Sequence, residues 1–329
     1  MMLKSFKSRV EKVSKLTFEK HALELFHFQV KNNPVYKAYL NSIEIDTDQI
    51  DSTFMIPFLP ISTFKYQTVK TGNWLESKIY ESSGTTNDTQ SKHYIEDEEL
   101  YNYISEMIFK KFYGNPKDYE ILALLPSYLE RSNSSLVHMI QNLIYKSGSE
   151  NSGFYLDDYD LLYRKIKDIL NRSDRKIILW GVTFGLLDFA EKYDMDLKNV
   201  IIIETGGMKG RREELTRPEI HNILRTRFNV AKIHSEYGMT ELLSQAYSKG
   251  DGIFKVPPWM RVYIREIYDP FSINNQLNQG VINIIDLANV HSCAFIATDD
   301  LGRIHPDGSF EVLGRLDNSD LRGCNLLLN

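Results

Sequence analysis

Between residues 97 and 237 the chain alternates short apolar runs with longer stretches whose apolar residues stand three and four apart. The runs at 120–125, 154–156, 176–180 and 199–203 read as buried strands. The stretches at 97–113, 134–145, 158–170 and 183–193 read as helices. Strands joined through helices require crossover connections, so this alternation predicts an α/β fold with a parallel or mixed sheet and helices on both faces. Ligands of such folds collect beyond the C-terminal ends of the strands. Polar residues stand there: Thr205, Gly206 and Gly207 after one strand, and His-Ser-Glu-Tyr-Gly-Met-Thr-Glu, 234–241, after the next.

The flanks have a different texture. Leu3, Phe6, Val10, Val13, Leu23, Phe26 and Val30 fall on one side of helical segments that end before Asn33-Pro34. Residues 51–72 contain Pro57 and Pro60 and favour an extended path. From about 260 onward, 260–266, 280–286, 292–297 and 309–313 are short β-rich runs, joined by turns such as Leu301-Gly302 and Asp307-Gly308. These features predict a core over 1–259, with helices in 1–33, and a smaller β-rich subdomain over 260–329.

A chain of 329 residues with 42% apolar content can bury a large core. Its formal charge of −5 argues against nucleic acid or an anionic membrane surface as the main partner. Cys293 and Cys324 are too few for a disulfide framework or a four-ligand zinc site, which fits a cytoplasmic location. No apolar run approaches the ~20 residues of a membrane span, and the N-terminus lacks the apolar segment of a secretory signal.

Residues 80–93 hold Ser82, Ser83, Gly84, Thr85 and Thr86, then Thr89, Ser91 and Lys92. A glycine that turns backbone N–H groups toward an anion, hydroxyls that donate to its oxygens and a lysine that offsets its charge make phosphate-binding chemistry. An exposed polar loop has the same composition. The run is not a Walker A loop, because no second glycine followed by Lys and Ser or Thr comes after Gly84. In Tyr237-Gly238-Met239-Thr240-Glu241 the ring can stack, the glycine permits close approach, and the carboxylate suits a magnesium ion bridging phosphates. The same residues read as a helix start with Thr240 as cap. Thr298-Asp299-Asp300-Leu301-Gly302 and Gly314-Arg315-Leu316-Asp317, followed by Arg322-Gly323, each read also as a β-turn.

In order along the chain, these segments resemble the motifs of the adenylate-forming superfamily, the acyl-CoA ligases and their relatives. The resemblance implies the fold of that superfamily's N-terminal domain, with ATP and Mg²⁺ as cofactors. It implies that Ser82, Ser83, Gly84, Thr85, Thr86 and Lys92 hold the β- and γ-phosphates, and Thr240 the α-phosphate. Glu241 would hold the metal, Gly206, Gly207, Tyr237, Gly238 and Met239 would surround the adenine, and Asp300 and Arg315 the ribose, with Asp317 as a pivot. Within the superfamily, Ile56-Pro57-Phe58-Leu59-Pro60-Ile61, Leu125-Pro126-Ser127-Tyr128-Leu129-Glu130-Arg131 with Ser134-Ser135-Leu136, and Asp320-Leu321-Arg322-Gly323-Cys324-Asn325 resemble the acyl-protein synthetases, the fatty-acid-activating subunits of bacterial bioluminescence reductase complexes. That family implies acyl-adenylate formation, transfer to a cysteine near the C-terminus, here Cys324, and an acyl-reductase or acyltransferase partner. The chain ends soon after Gly323, which implies no C-terminal lid domain. Cys324 reads equally as a buried thiol beside Leu326, Leu327 and Leu328.

Three other readings stay open. One is an acyl- or aryl-CoA ligase. Another is a nucleotide-binding scaffold without turnover. The third is a hydrolase, because Gly181-Val182-Thr183-Phe184-Gly185 lies between a strand and a helix as a nucleophile elbow does. There the glycines read also as sites of tight packing.

Overall fold

The computed structural model of the chain describes residues 10–83, 89–126, 133–206, 215–273 and 276–316. Its helices are α1 (Phe18–Asn32), α2 (Pro34–Ser42), α3 (Thr63–Tyr66), α4 (Glu98–Tyr113), α5 (Ser135–Ser147), α6 (Tyr159–Arg172), α7 (Thr183–Lys192) and α8 (Arg217–Phe228). Its strands are β1 (Leu59–Pro60), β2 (Lys78–Glu81), β3 (Lys92–Ile95), β4 (Tyr119–Leu124), β5 (Gly153–Phe154), β6 (Lys176–Val182), β7 (Val200–Thr205), β8 (His234–Tyr237), β9 (Ala246–Ser248), β10 (Phe254–Lys255), β11 (Met260–Arg265), β12 (Gln279–Asp286), β13 (Phe295–Ile304) and β14 (Phe310–Arg315). Two compact units result: Met1–Ser77 with Thr86–Glu96 and Pro258–Asn329, and Lys78–Thr85 with Asp97–Pro257.

In the unit that includes Asp97–Pro257, β5, β4, β6, β7 and β8 are neighbours in that order and run parallel. Antiparallel β9 and β10 follow β8. Leu122, Leu124, Ile177, Leu179, Val200 and Ile202 face α6, α7 and α8 through Leu162, Ile166, Leu186, Phe189, Leu224 and Phe228, all buried. On the opposite face Trp180 stacks on Phe109 of α4, with ring centroids 6.5 Å apart. Caps set the helix starts: Asp97 accepts from Leu100 N at 3.1 Å, and Asp158 accepts from Leu161 N at 2.9 Å. The strand order places the topological switch between β4 and β6. Near it, added β-carbons on Gly181 and Gly185 would meet Leu186 Cγ at 2.7 Å and Pro126 Cδ at 3.1 Å. These glycines are sites of close packing.

In the other unit, β11, β12, β13 and β14 form an antiparallel sheet, and β1 pairs in parallel with β13. The expected turn at Leu301-Gly302 is instead inside β13, where a register shift absorbs it. Asp307-Gly308 is a turn, with Gly308 at φ 85°. Along α1 the buried residues are Phe18, Ala22, Leu25, Phe26 and Gln29, while Leu23 and Val30 are half-buried. The stripe is rotated from the expected one because it includes a polar residue. Gln29 Nε2 donates to the carbonyls of Asn289, Val290 and Ser292 at 3.1, 3.2 and 3.2 Å, and its Oε1 accepts from Ala294 N at 2.9 Å. The extended path expected over 51–72 is interrupted by α3.

Among the described residues no helix is long and apolar enough to cross a membrane. Gln29→Leu should strand the backbone groups of 289–294. The expected loss is about 2–4 kcal/mol of stability, read by urea denaturation as a lower midpoint with an unchanged slope.

Candidate functional site

At the C-terminal edge of the parallel strands, β7 ends at Thr205 and β8 at Tyr237, with Thr205 in register with Glu236. Gly206 follows at φ 73°, and among the described residues nothing lies within 4 Å of where its β-carbon would stand. Its backbone is therefore turned in the region that favours glycine. The Tyr237 ring is buried, 5.9 Å from that of Phe254. Gly238 is exposed, Met239 and Thr240 are half-buried and Glu241 is buried. Leu242 N donates to Met239 O at 3.2 Å, closing a turn into β9. Thr240 is thus not a helix cap, since β9 begins too soon for a helix to form. His234–Tyr237, expected to follow a strand, is itself the strand β8. Its polar side chains find partners within the fold, His234 Nδ1 with Tyr113 Oη at 3.2 Å and Glu236 with Thr205 Oγ1.

Two buried carboxylates lie on opposite faces of this edge. Glu204 of β7 turns toward α8, where Arg217 Nε donates to Oε1 at 3.1 Å and His221 Nε2 lies 3.4 Å away. Burial pushes its pKa up, but the His221 contact, the Arg217 charge and Ser235 outweigh that and hold it below the usual value. Glu236 of β8 turns toward α4 and β9, in register with Tyr247. Burial pushes its carboxyl up to about 7, against the Thr205 hydrogen bond and helped by the negative Glu204. Its Oε1 lies 2.5 Å from where a β-carbon on Gly238 would stand, so the carboxyl packs under the Tyr-Gly turn.

The elbow segment does not form a nucleophile site. Thr183 is buried, and its Oγ1 lies 3.0 Å from both Glu204 Oε2 and Gly206 O. Ser235 Oγ, His221 and Glu204 approach a Ser-His-acid set, but Ser235 and Glu204 both meet the same nitrogen, Nε2, at 3.3 and 3.4 Å. A relay needs the two ring nitrogens separately. Thr183 entered the sequence reading only within the elbow, and Glu204 and Arg217 escaped it because α8 was not foreseen. Its signal was present in Thr216-Arg217-Pro218-Glu219, where Thr216 N donates to Glu219 Oε2 at 2.8 Å, half of a capping box. Glu204, a carboxylate closing the run Ile201, Ile202, Ile203, was the second signal.

In the same unit Ser82 is half-buried and Ser83 exposed, just beyond β2, whose Glu81 N donates to Asn133 O at 2.9 Å. The other unit holds Lys92, Asp300 and Arg315. Lys92 is exposed at the start of β3, and the neighbouring His93 is buried with Nε2 3.1 Å from Asn289 Oδ1. Asp300 and Arg315 are brought together as partners in register across β13 and β14. The ion pair of Arg315 is with Asp299, at 3.9 Å. Gly84, Thr85, Thr86, Gly207, Asp317 and Cys324 lie outside the described residues.

The Glu236 environment gives a stability test. A carboxyl at about 7 in the fold against 4.5 for the free group binds more protons folded than unfolded between those values. Its contribution is complete at low pH and falls away as pH rises toward 7. Glu236→Gln should therefore gain on wild type, by up to roughly 3 kcal/mol, between pH 5 and 8. Denaturation across that range checks it, and a pH-independent difference would contradict it.

The family model of LuxE, acyl-protein synthetase, matches residues 4–329. No match was found among curated proteins. Among solved structures, ATP-bound MatB from Rhodopseudomonas palustris is similar over 72% of this chain and 47% of its own, at 16% identity and a TM-score of 0.53. A long-chain-fatty-acid-CoA ligase from Archaeoglobus fulgidus is similar over 72% and 51%, at 15% identity and a TM-score of 0.52. O-succinylbenzoate coenzyme A synthetase from Bacillus subtilis, in complex with AMP, is similar over 75% and 50%, at 18% identity and a TM-score of 0.51. This chain spans about half the length of each. The fold is that of the N-terminal domain of adenylate-forming enzymes. With the family model covering nearly all of its length, the chain belongs to the LuxE family of acyl-protein synthetases.

Proposed function

We propose that this chain is a cytoplasmic ligase that activates a carboxylic acid, a fatty acid in the first instance, with ATP and passes the acyl group to a cysteine thiol. A carboxylate oxygen attacks the α-phosphorus; the new O–P bond forms as the bond to the bridging oxygen breaks, and pyrophosphate leaves. A thiolate then attacks the acyl carbon, forming the C–S bond and releasing AMP. The observation that carries this reading is the family match over 4–329 together with Tyr237-Gly238-Met239-Thr240-Glu241 in a turn at the strand edge beside the turned backbone of Gly206.

In this reading Gly206, Gly207, Tyr237, Gly238 and Met239 surround the adenine, and Asp300 and Arg315 hold the ribose. Ser82, Ser83, Gly84, Thr85, Thr86, Lys92 and Thr240 neutralise and orient the phosphates. Glu241 would hold Mg²⁺, which offsets phosphate charge when bound. One carboxylate suits an ion shared with a polyphosphate, and among the described residues no group of three or more His, Cys, Asp and Glu forms a dedicated cage. Cys324 or a thiol on an acyl-reductase or acyltransferase partner accepts the acyl group. Two of the similar structures are of coenzyme A ligases, which favours an acyl- or aryl-CoA ligase as the second reading.

The test is acid-dependent ATP–pyrophosphate exchange across short, long and aromatic acids, then labelled acid with ATP and a gel for hydroxylamine-labile label. Wild type should exchange and carry label; Cys324→Ser should exchange without it, and Glu241→Gln should lose roughly 10²-fold in exchange. Exchange with no label on wild type moves the acceptor to coenzyme A or a partner. ATP binding with no exchange for any acid would leave a non-catalytic scaffold and sink the enzyme reading.

A further inference from the structure

The side chains around Glu204 connect the two groups assigned to the adenine, by a route that uses none of the family motifs. Starting from Gly206, its carbonyl oxygen and Glu204 Oε2 each lie 3.0 Å from Thr183 Oγ1 and share its one proton. The other carboxylate oxygen, Oε1, accepts from Arg217 Nε at 3.1 Å. Arg217 Cζ stands over the Phe254 ring, 5.0 Å from its centroid, and the Phe254 and Tyr237 ring centroids are 5.9 Å apart at an interplanar angle of 60°. Gly252 closes on the stem of the same arginine, where an added β-carbon would lie 3.4 Å from Cδ. Arg217 supplies a cation to this path, and about a quarter of its side chain is exposed (26%) against 4% for Glu204.

We propose that Arg217 is the positioning residue of the purine slot, holding Gly206 through Glu204 and Thr183 on one side and Tyr237 through Phe254 on the other. This deepens the nucleotide reading above and rests on it. The planar guanidinium can do both at once because its Nε donates to a carboxylate while its central carbon stands over a ring. Without it Glu204 keeps a buried charge with a weaker set of partners, the Thr183 hydroxyl is drawn toward that carboxylate, and the Phe254 ring loses a cation packed over it. The slot then has to be ordered by the base as it binds, which lowers affinity for the base. Groups that hold phosphates are not in this path, so their affinity is unaffected.

The experiment is titration of purified chain with ATP, AMP and inorganic tripolyphosphate, for wild type, Arg217→Met, Arg217→Lys and Thr183→Val, each first checked by thermal melting. Arg217→Met should weaken ATP and AMP about tenfold, near 1.4 kcal/mol, and leave tripolyphosphate unchanged. Arg217→Lys restores the charge opposite Glu204 without the planar face and should recover part of the loss. Thr183→Val changes no charge and keeps the test available if Arg217→Met does not fold; it should weaken AMP several-fold, again with tripolyphosphate unchanged. Unchanged AMP affinity in the folded variants, or equal losses for AMP and tripolyphosphate, would overturn the positioning role while leaving the nucleotide reading in place. A wild-type chain that binds tripolyphosphate but neither ATP nor AMP would overturn both.

Discussion

A carboxylate removed from water must be matched where it sits, and Glu204 is matched by groups from three separate connections. Thr183 begins α7, Arg217 and His221 lie on the first turns of α8, and Ser235 reaches in from β8 through His221. An uncompensated charge at that depth would cost several kcal/mol. The end of β6, the end of β7 and the start of α8 are consequently tied to one anion. The turn at Gly206 is a product of that tie, because its carbonyl shares the Thr183 hydroxyl with Glu204.

The second buried carboxylate obeys the opposite rule. Glu236 faces a side of the sheet furnished with Tyr101, Tyr113 and Tyr247, whose hydroxyls are all pushed upward in pKa by burial first and by Glu236 after it or beside other tyrosines. The lysines near this edge, Lys232 and Lys249, act instead on His234, which burial first and those charges second push down to about 4. Burial, against the Thr205 hydroxyl, raises Glu236 to about 7. Adjacent strands thus carry one acid held below the usual carboxylate value and one raised above it, and the pleat of the sheet sends them to opposite faces.

Much of this was legible in the sequence. The alternation from 97 onward pointed to a parallel or mixed sheet, because strand length and helix period are local properties. What escaped depended on contacts distant in the chain. Gln29 is buried because carbonyls 260 and more residues away need its amide, and no periodicity in α1 announces that. Leu301-Gly302 looked like a turn because glycine punctuates turns, yet a bulge inside β13 uses glycine as well. Asp300 and Arg315 were readable as motif residues, but their juxtaposition comes from the register of β13 with β14.

The charge states at the strand edge bear on what that edge can accept. If a polyphosphate approaches, each unpaired carboxylate about 10 Å away opposes each phosphate charge by about 2 kcal/mol at an effective dielectric of 20. Two such groups would oppose a triphosphate by more than a typical nucleotide affinity. Arg217 reduces this cost for Glu204 by pairing, and burial reduces it for Glu236 by raising its carboxyl to about 7. The two acids can then pack against Gly206 and the Tyr237-Gly238 turn with less opposition to an approaching anion than two unpaired, fully ionised carboxylates would give.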